Sequence, residues 1–179
     1  MKKILVIIIV LFLGLISLKA QTTLTVGKTV QNIVLKDLNN KNTTIPGFGI
    51  KPVVIVYTDP DVRDYGDPLV DAILTKDYNK KIYSGVGIVN SADSWFPNYL
   101  ILIGAKIKAK KYPDSAILID DNKLLEKTWG LGNCDEISIF IIIDKNKKVV
   151  YLKKIESENE SKALVPEVIK FIDKFSKSL

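Results

Sequence analysis

Between residues 59 and 67 the chain reads DPDVRDYGD, which places Asp59, Asp61, Asp64 and Asp67 within nine positions; Asp135 and Glu136 later follow the sole cysteine, Cys134. Carboxylates at this density shape backbone or bind a hard cation such as Ca²⁺, which prefers oxygen ligands. The cation reading rests on Asp59, Asp61 and Asp64, joined across the fold by Asp135 or Glu136, and the spacing does not match the helix-loop-helix calcium loop. The local reading needs no ligand. In it Asp59 and Asp61 form a turn with Pro60, Asp67 caps the following helix, and Asp64 is solvated. No metal or cofactor is therefore expected.

The residues that are missing narrow the chemistry further. There is no histidine in the sequence, so serine-histidine and cysteine-histidine catalysis are excluded and the usual zinc ligand is absent. Cys134 has no second cysteine with which to form an intrachain disulfide. The acid beside it disfavours a thiolate nucleophile. A buried, inert thiol is the expectation.

These residues belong to a chain of 179 residues, 47% of them hydrophobic, enough for one domain with a full core. Its first residues, MKKILVIIIVLFLGLISLKA, pair two lysines with an apolar stretch from Ile4 to Ile16 and a small residue, Ala20. That pattern predicts a signal peptide over 1–20, a single domain over 21–179, and a periplasmic or secreted destination. Removing Lys2, Lys3 and Lys19 lowers the formal charge from +6 to +3. The remaining basic cluster, KIKAKK at 106–111, falls at a predicted helix end, where cations complement the helix dipole. No nucleic-acid partner is expected, and no membrane partner after signal cleavage.

The elements that must position the acidic turn follow from periodicity. The segment LTVGKTVQNIVLKDLNNKNTTI predicts short strands around an Asn-rich turn, and VVIVY, YSGVGIVN and SAILID read as buried parallel strands of βα units. ISIFIIID and KVVYLKK form a hairpin whose turn places Asn146 in the left-handed region. Four helices are predicted. GDPLVDAILTKD is capped by Asp67; WFPNYLILIGAKIKAK turns Phe96, Leu100, Ile103 and Ile107 to the core; DNKLLEKTWG is capped by Asp121 or Asn122; LVPEVIKFIDKFSKSL carries Pro166 in its first turn and Val165, Ile169, Ile172 and Phe175 on its inner face.

This order resembles the thioredoxin-like fold, an α/β architecture with a central mixed sheet flanked by helices, a closing hairpin and a C-terminal helix. VGKTVQNIVLKDLNNKNTTI followed by KPVVIVYTDP is similar to the entry of the peroxiredoxin and thiol-reductase branches. KYPDSAILIDDNKLLEKTWGL, with Tyr112-Pro113, Asp120 and Trp129, resembles the YtfJ family of periplasmic thioredoxin-like proteins. The hairpin departs from the relatives at Lys147, where they commonly carry glycine.

The resemblance locates what is absent. A CxxC counted from Tyr57 falls on Val62 and Tyr65, and the threonine and cysteine of a PxxxTxxC turn aligned on Pro60 fall on Asp64 and Asp67. The proline that precedes the closing hairpin in relatives falls near Ser138. Dithiol exchange and peroxidase chemistry are not expected. The resemblance implies a noncatalytic protein that binds a protein or small ligand at the former active-site face, through Asp59, Asp61, Val62, Asp64, Tyr65, Asp67, Cys134, Asp135 and Ser138, with Trp95 as a further aromatic. The alternative comes from VVIVYTDPDV, which also resembles the DxD motif of haloacid-dehalogenase-like phosphatases. There Asp59 is the nucleophile, Asp61 the acid-base, Ser91 and a lysine of KIKAKK assist, and Asp120 and Asp121 hold Mg²⁺.

Overall fold

Apolar runs bounded by turn residues become the strands, and a computed structural model describes them over residues 23–76, 78, 83–92 and 94–177. The expected signal peptide lies outside the described residues. β1 (Val34–Lys36) and β2 (Asn42–Thr44) pair antiparallel around the Asn-rich turn, where Asp37 Oδ1 accepts the backbone N–H groups of Asn39 and Lys41. β3 (Val53–Thr58), β4 (Ser84–Asn90) and β5 (Ser115–Asp120) run parallel at the centre. β6 (Ser138–Ile143) lies antiparallel to β3 and forms the closing hairpin with β7 (Val149–Ile155). The seven strands are ordered β2-β1-β5-β4-β3-β6-β7.

Four helices cover this sheet: α1 (Asp67–Thr75), α2 (Asn98–Lys111), α3 (Leu124–Trp129) and α4 (Glu158–Ser176). Alternation along β3 sends Val53, Ile55 and Tyr57 to one face, where Leu125 and Trp129 of α3 complete the core. Val54 and Val56 point to the other face and meet Leu69 and Ile73 of α1 and Val168 and Ile172 of α4. β6 is buried along its whole length, as a strand between two covered faces must be. The indole N–H of Trp129, buried in the first layer, donates to the Gln31 carbonyl at 2.9 Å. At the start of α1, a Cβ on Gly66 would stand 2.6 Å from Val56 Cγ1, so only glycine lets the turn lie this close to β3.

Several local expectations are corrected. Asp67 does not cap α1; Gly66 occupies the cap position, and the Asp67 carboxylate turns to lysines of α2. α3 is capped by neither Asp121 nor Asn122. Asp120 reaches over them and accepts the N–H groups of Leu124 at 2.8 Å and Leu125 at 3.0 Å, while Lys123 sits in the left-handed region. α4 begins at Glu158 with Ser157 accepting the Glu160 N–H, so Pro166 lies inside the helix instead of in its first turn. The hairpin places Lys147, not Asn146, in the left-handed region, at φ 67°.

The largest correction concerns α2. Ile101 and Ala105 make its buried contact, while Leu100, Ile103 and Ile107 are exposed. The helix is therefore rotated away from the orientation its apolar spacing predicts.

Lys147→Gly relieves the left-handed strain at a cost in unfolded-chain entropy, and should stabilise the protein by about 0.5–1 kcal/mol. The thermal midpoint should rise by roughly 1–4 °C. An unchanged or lower midpoint would show that the Lys147 side chain, which stacks over Gly49, contributes more than the strain costs.

Candidate functional site

The carboxyl ends of β3, β4 and β5 form one edge of the sheet, and the acidic turn leaves β3 there. Asp59 is buried at this edge. Its Oδ1 accepts the N–H of Asp61 at 2.9 Å and its Oδ2 accepts the N–H of Glu136 at 3.0 Å, while its own N–H donates to the Ile137 carbonyl. One carboxylate thus ties the 3-10 turn Pro60–Val62 to the loop before β6. Burial raises the Asp59 pKa, the two N–H donors oppose that shift, and the charges of Asp61 and Asp135 add to it.

The other three aspartates are also engaged. Asp61 Oδ1 accepts the Ser94 hydroxyl at 2.9 Å, which fixes the loop carrying Trp95 and Phe96, whose rings stack at 4.2 Å. Asp64 is exposed, as a solvated residue should be, and in addition pairs with Lys108 at 2.8 Å, whose ammonium holds its carboxyl below the usual range. Lys108 also pairs with Asp67, which takes a second lysine, Lys111, at 2.9 Å. Lys111 reaches Asp71 as well, and the Tyr112 hydroxyl donates to Asp71 at 2.9 Å. These contacts form an ion-pair cluster joining α1 to α2.

The remaining candidates separate. Val62 and Tyr65 are half-buried, with Tyr65 packed against the α1–α4 core. Ser138 pairs with Thr58 across the β3–β6 ladder, and the two buried hydroxyls share a short hydrogen bond. Cys134 is buried in the first core layer, its thiol directed at the Gly132 carbonyl at 3.2 Å. Asp135 and Glu136 are exposed. The site thus joins Asp59, Asp61, Asp135 and Glu136 at one rim and draws Asp64 and Asp67 away toward α2.

Neither ligand-dependent alternative is assembled. Among the described residues no three Cys, Asp or Glu side chains group as metal ligands. The Asp59, Asp61 and Asp64 carboxylates point respectively to backbone N–H groups, to Ser94 and to Lys108. Asp120, buried, faces Tyr57 and the start of α3 on the far side of β4, and Asp121 pairs with the Asn122 amide. The four carboxylates of a metal-assisted phosphatase therefore do not meet at one point.

A separate apolar groove of about 330 Å³ lies between α1 and α2, over Val54, Val56, Gly85 and Gly87. Arg63, Asp67 and Lys108 stand among its lining residues. The sequence reading missed the groove, and missed Lys108, Lys111 and Ser94 as partners of the acidic turn. Only the count of lysines in KIKAKK against the aspartates hinted at pairing.

A seven-stranded mixed sheet with a closing hairpin, flanked by helices, defines a thioredoxin-like class. The family model described as "Bacterial protein of unknown function (YtfJ_HI0045)" matches residues 49–175, and the chain belongs to that family. It is 27% identical over 92 residues to an uncharacterized protein of Haemophilus influenzae, covering 51% of this chain and 49% of that one. The chain thus spans about half the length of that curated relative. The thioredoxin domain of a thiol-disulfide oxidoreductase from Bacteroides vulgatus superposes with a TM-score of 0.58 at 14% identity, over 83% of this chain and 99% of the other. A mitochondrial 2-Cys peroxiredoxin from Plasmodium falciparum gives 0.55 at 17% identity, over 87% and 98% of the two chains. These likenesses establish the fold.

Asp59→Ala removes the acceptor of two N–H groups at a buried edge and should cost about 1–3 kcal/mol. The pH dependence supplies the sign. Because folding raises this pKa above 3.8, the native state binds more protons than the unfolded state above that pH. Stability from Asp59 titration is fully present below 3.8 and is lost as pH rises through the raised value. Denaturant titrations of wild type and variant from acid to neutral pH should therefore show a falling difference. A difference that grows with pH would contradict the assignment.

Proposed function

We propose that this chain is an exported, noncatalytic binding protein that holds a basic or amphipathic polypeptide segment at the former active-site face. Export rests on the N-terminal pattern of two lysines, an apolar stretch and Ala20. The absence of dithiol and peroxidase turnover rests on chemistry: the corresponding positions are Val62, Tyr65, Asp64 and Asp67, and the lone thiol is buried.

The observation that carries the binding reading is the rim around the Asp59 staple. Asp59 brings exposed Asp135 and Glu136 beside Asp61, and the Asp61–Ser94 bond holds exposed Trp95 at the same rim. An aromatic surface bordered by acid favours a partner with apolar and basic side chains. The ring supplies buried area, and the carboxylates supply steering and selectivity. Asp64 and Asp67, neutralised by Lys108 and Lys111, contribute shape more than charge.

A labelled amphipathic peptide built from lysine and leucine should bind the wild type. Asp135→Lys combined with Glu136→Lys should weaken that binding by roughly tenfold or more, with an unchanged melting curve because both residues are exposed. Equal binding by both proteins would remove this face as the site. In parallel, neither insulin disulfides nor peroxide should be reduced, and turnover that disappears in Cys134→Ser would overturn the noncatalytic reading.

A further inference from the structure

The outward side of α2 carries an apolar stripe that no described element covers. Tyr99 is 66% exposed, Leu100 42%, Ile103 51% and Ile107 62%, and Trp95, just before the helix, is 76% exposed. Positions 99, 103 and 107 recur every four residues, so they line one side of the helix, and the span from 99 to 110 is about 16 Å. The groove between α1 and α2 opens along the inner edge of the same stripe, with Leu100, Ile103 and Ile107 among its lining residues.

Charge identifies what this face suits. From Asn98 to Lys111 the helix holds four lysines and no acidic residue. Lys108 and Lys111 are committed to Asp64, Asp67 and Asp71. Lys106 and Lys110 are exposed and pair with no carboxylate among the described residues. They flank the stripe at its C-terminal half, while Trp95 and Tyr99 stand at its N-terminal end. Aliphatic residues bordered by lysines, with exposed aromatics at one end, are the composition of a helix that lies in a membrane interface. The acidic partner for Lys106 and Lys110 is then a lipid phosphate.

We propose that the outer face of α2 docks the folded protein peripherally on an anionic phospholipid surface. Leu100, Ile103 and Ile107 enter the acyl boundary, and Lys106 and Lys110 meet the headgroups. The helix lies on the surface. No helix among the described residues is long and apolar enough to cross a membrane. The sequence reading expected no membrane partner after signal cleavage; the exposure of Ile103 and Ile107 is the observation that favours one. This surface meets the acidic rim at Trp95 and carries the opposite charge, so the charge variants below, none of them at Trp95, separate the two.

Protein recovered after export, with its N-terminus read by sequencing, is sedimented with vesicles of phosphatidylcholine alone and of phosphatidylcholine mixed with phosphatidylglycerol. The wild type should sediment with the mixed vesicles, less so at high salt, and Trp95 emission should shift to shorter wavelength against the constant background of buried Trp129. Lys106→Glu with Lys110→Glu should weaken partitioning by at least roughly thirtyfold, and Ile103→Asp with Ile107→Asp should abolish it. Both variants change exposed residues and should keep the wild-type melting curve and the binding of the basic peptide, so the two faces are scored separately. Equal sedimentation of wild type and variants, binding to neutral vesicles as strong as to anionic ones, or no binding to either would overturn the proposal. A concentration-dependent dimer lost in Ile103→Asp, with no vesicle binding, would assign the stripe to a second copy and overturn it likewise.

Discussion

A carboxylate buried without a partner costs several kcal/mol, and this chain places several at the carboxyl edge of its central strands. Each has to find donors or cations, and the manner in which each does so organises that end of the molecule. Asp59 takes two backbone N–H groups and thereby joins the turn after β3 to the loop before β6. Asp120 takes the first N–H groups of α3 and the Tyr57 hydroxyl, which fixes α3 against the sheet. Asp64 and Asp67 take Lys108 and Lys111, which sets the approach of α2 to α1. The turn after β3 is thereby a structural junction between the sheet, α1 and α2.

The frame itself was legible because its signals are strong and local. Runs such as VVIVY and ISIFIIID have the length and β-branched content of buried strands, and the parallel centre followed from the spacing between them. The caps were less legible. Asp121 and Asn122 have the right chemistry for capping α3, but Asp120 already lies buried at the strand end and reaches Leu124 and Leu125 first. Lys147 illustrates the converse. Asn146 is the residue that tolerates a left-handed conformation, yet the turn closes with Lys147 N–H donating to Asp144 and Asp144 Oδ1 accepting Asn146 and Lys148, which assigns the left-handed position to the lysine.

At the site the same distinction holds between residue type and partner. Sequence spacing located the turn, the loop at Cys134 to Ser138 and the missing thiols. It could not show that Asp64 and Asp67 face lysines more than 40 residues away, because ion pairs between helices leave no periodic trace. Nor could it separate Asp135 and Glu136, which remain exposed, from Asp59, which is buried. Within one short segment Asp59 is thus buried against backbone N–H groups, Asp61 accepts from Ser94, and Asp64 and Asp67 share Lys108.

The rotation of α2 follows from that partition. Ile101, Ala105 and Lys108 lie on one side of the helix, three or four residues apart, so the rotation that presents Lys108 to Asp64 and Asp67 also presents Ile101 and Ala105 to the sheet. Turning Ile103 and Ile107 inward would bury two partly exposed side chains, a gain of about 2–3 kcal/mol, and would withdraw Ile101 from the core. It would also draw Lys108 away from both Asp64 and Asp67. Loss of these pairs and of the Ile101 contact together opposes that rotation, and the aliphatic stripe stays outside. The acidic turn thus determines, through Lys108, which surface of the neighbouring helix the protein presents.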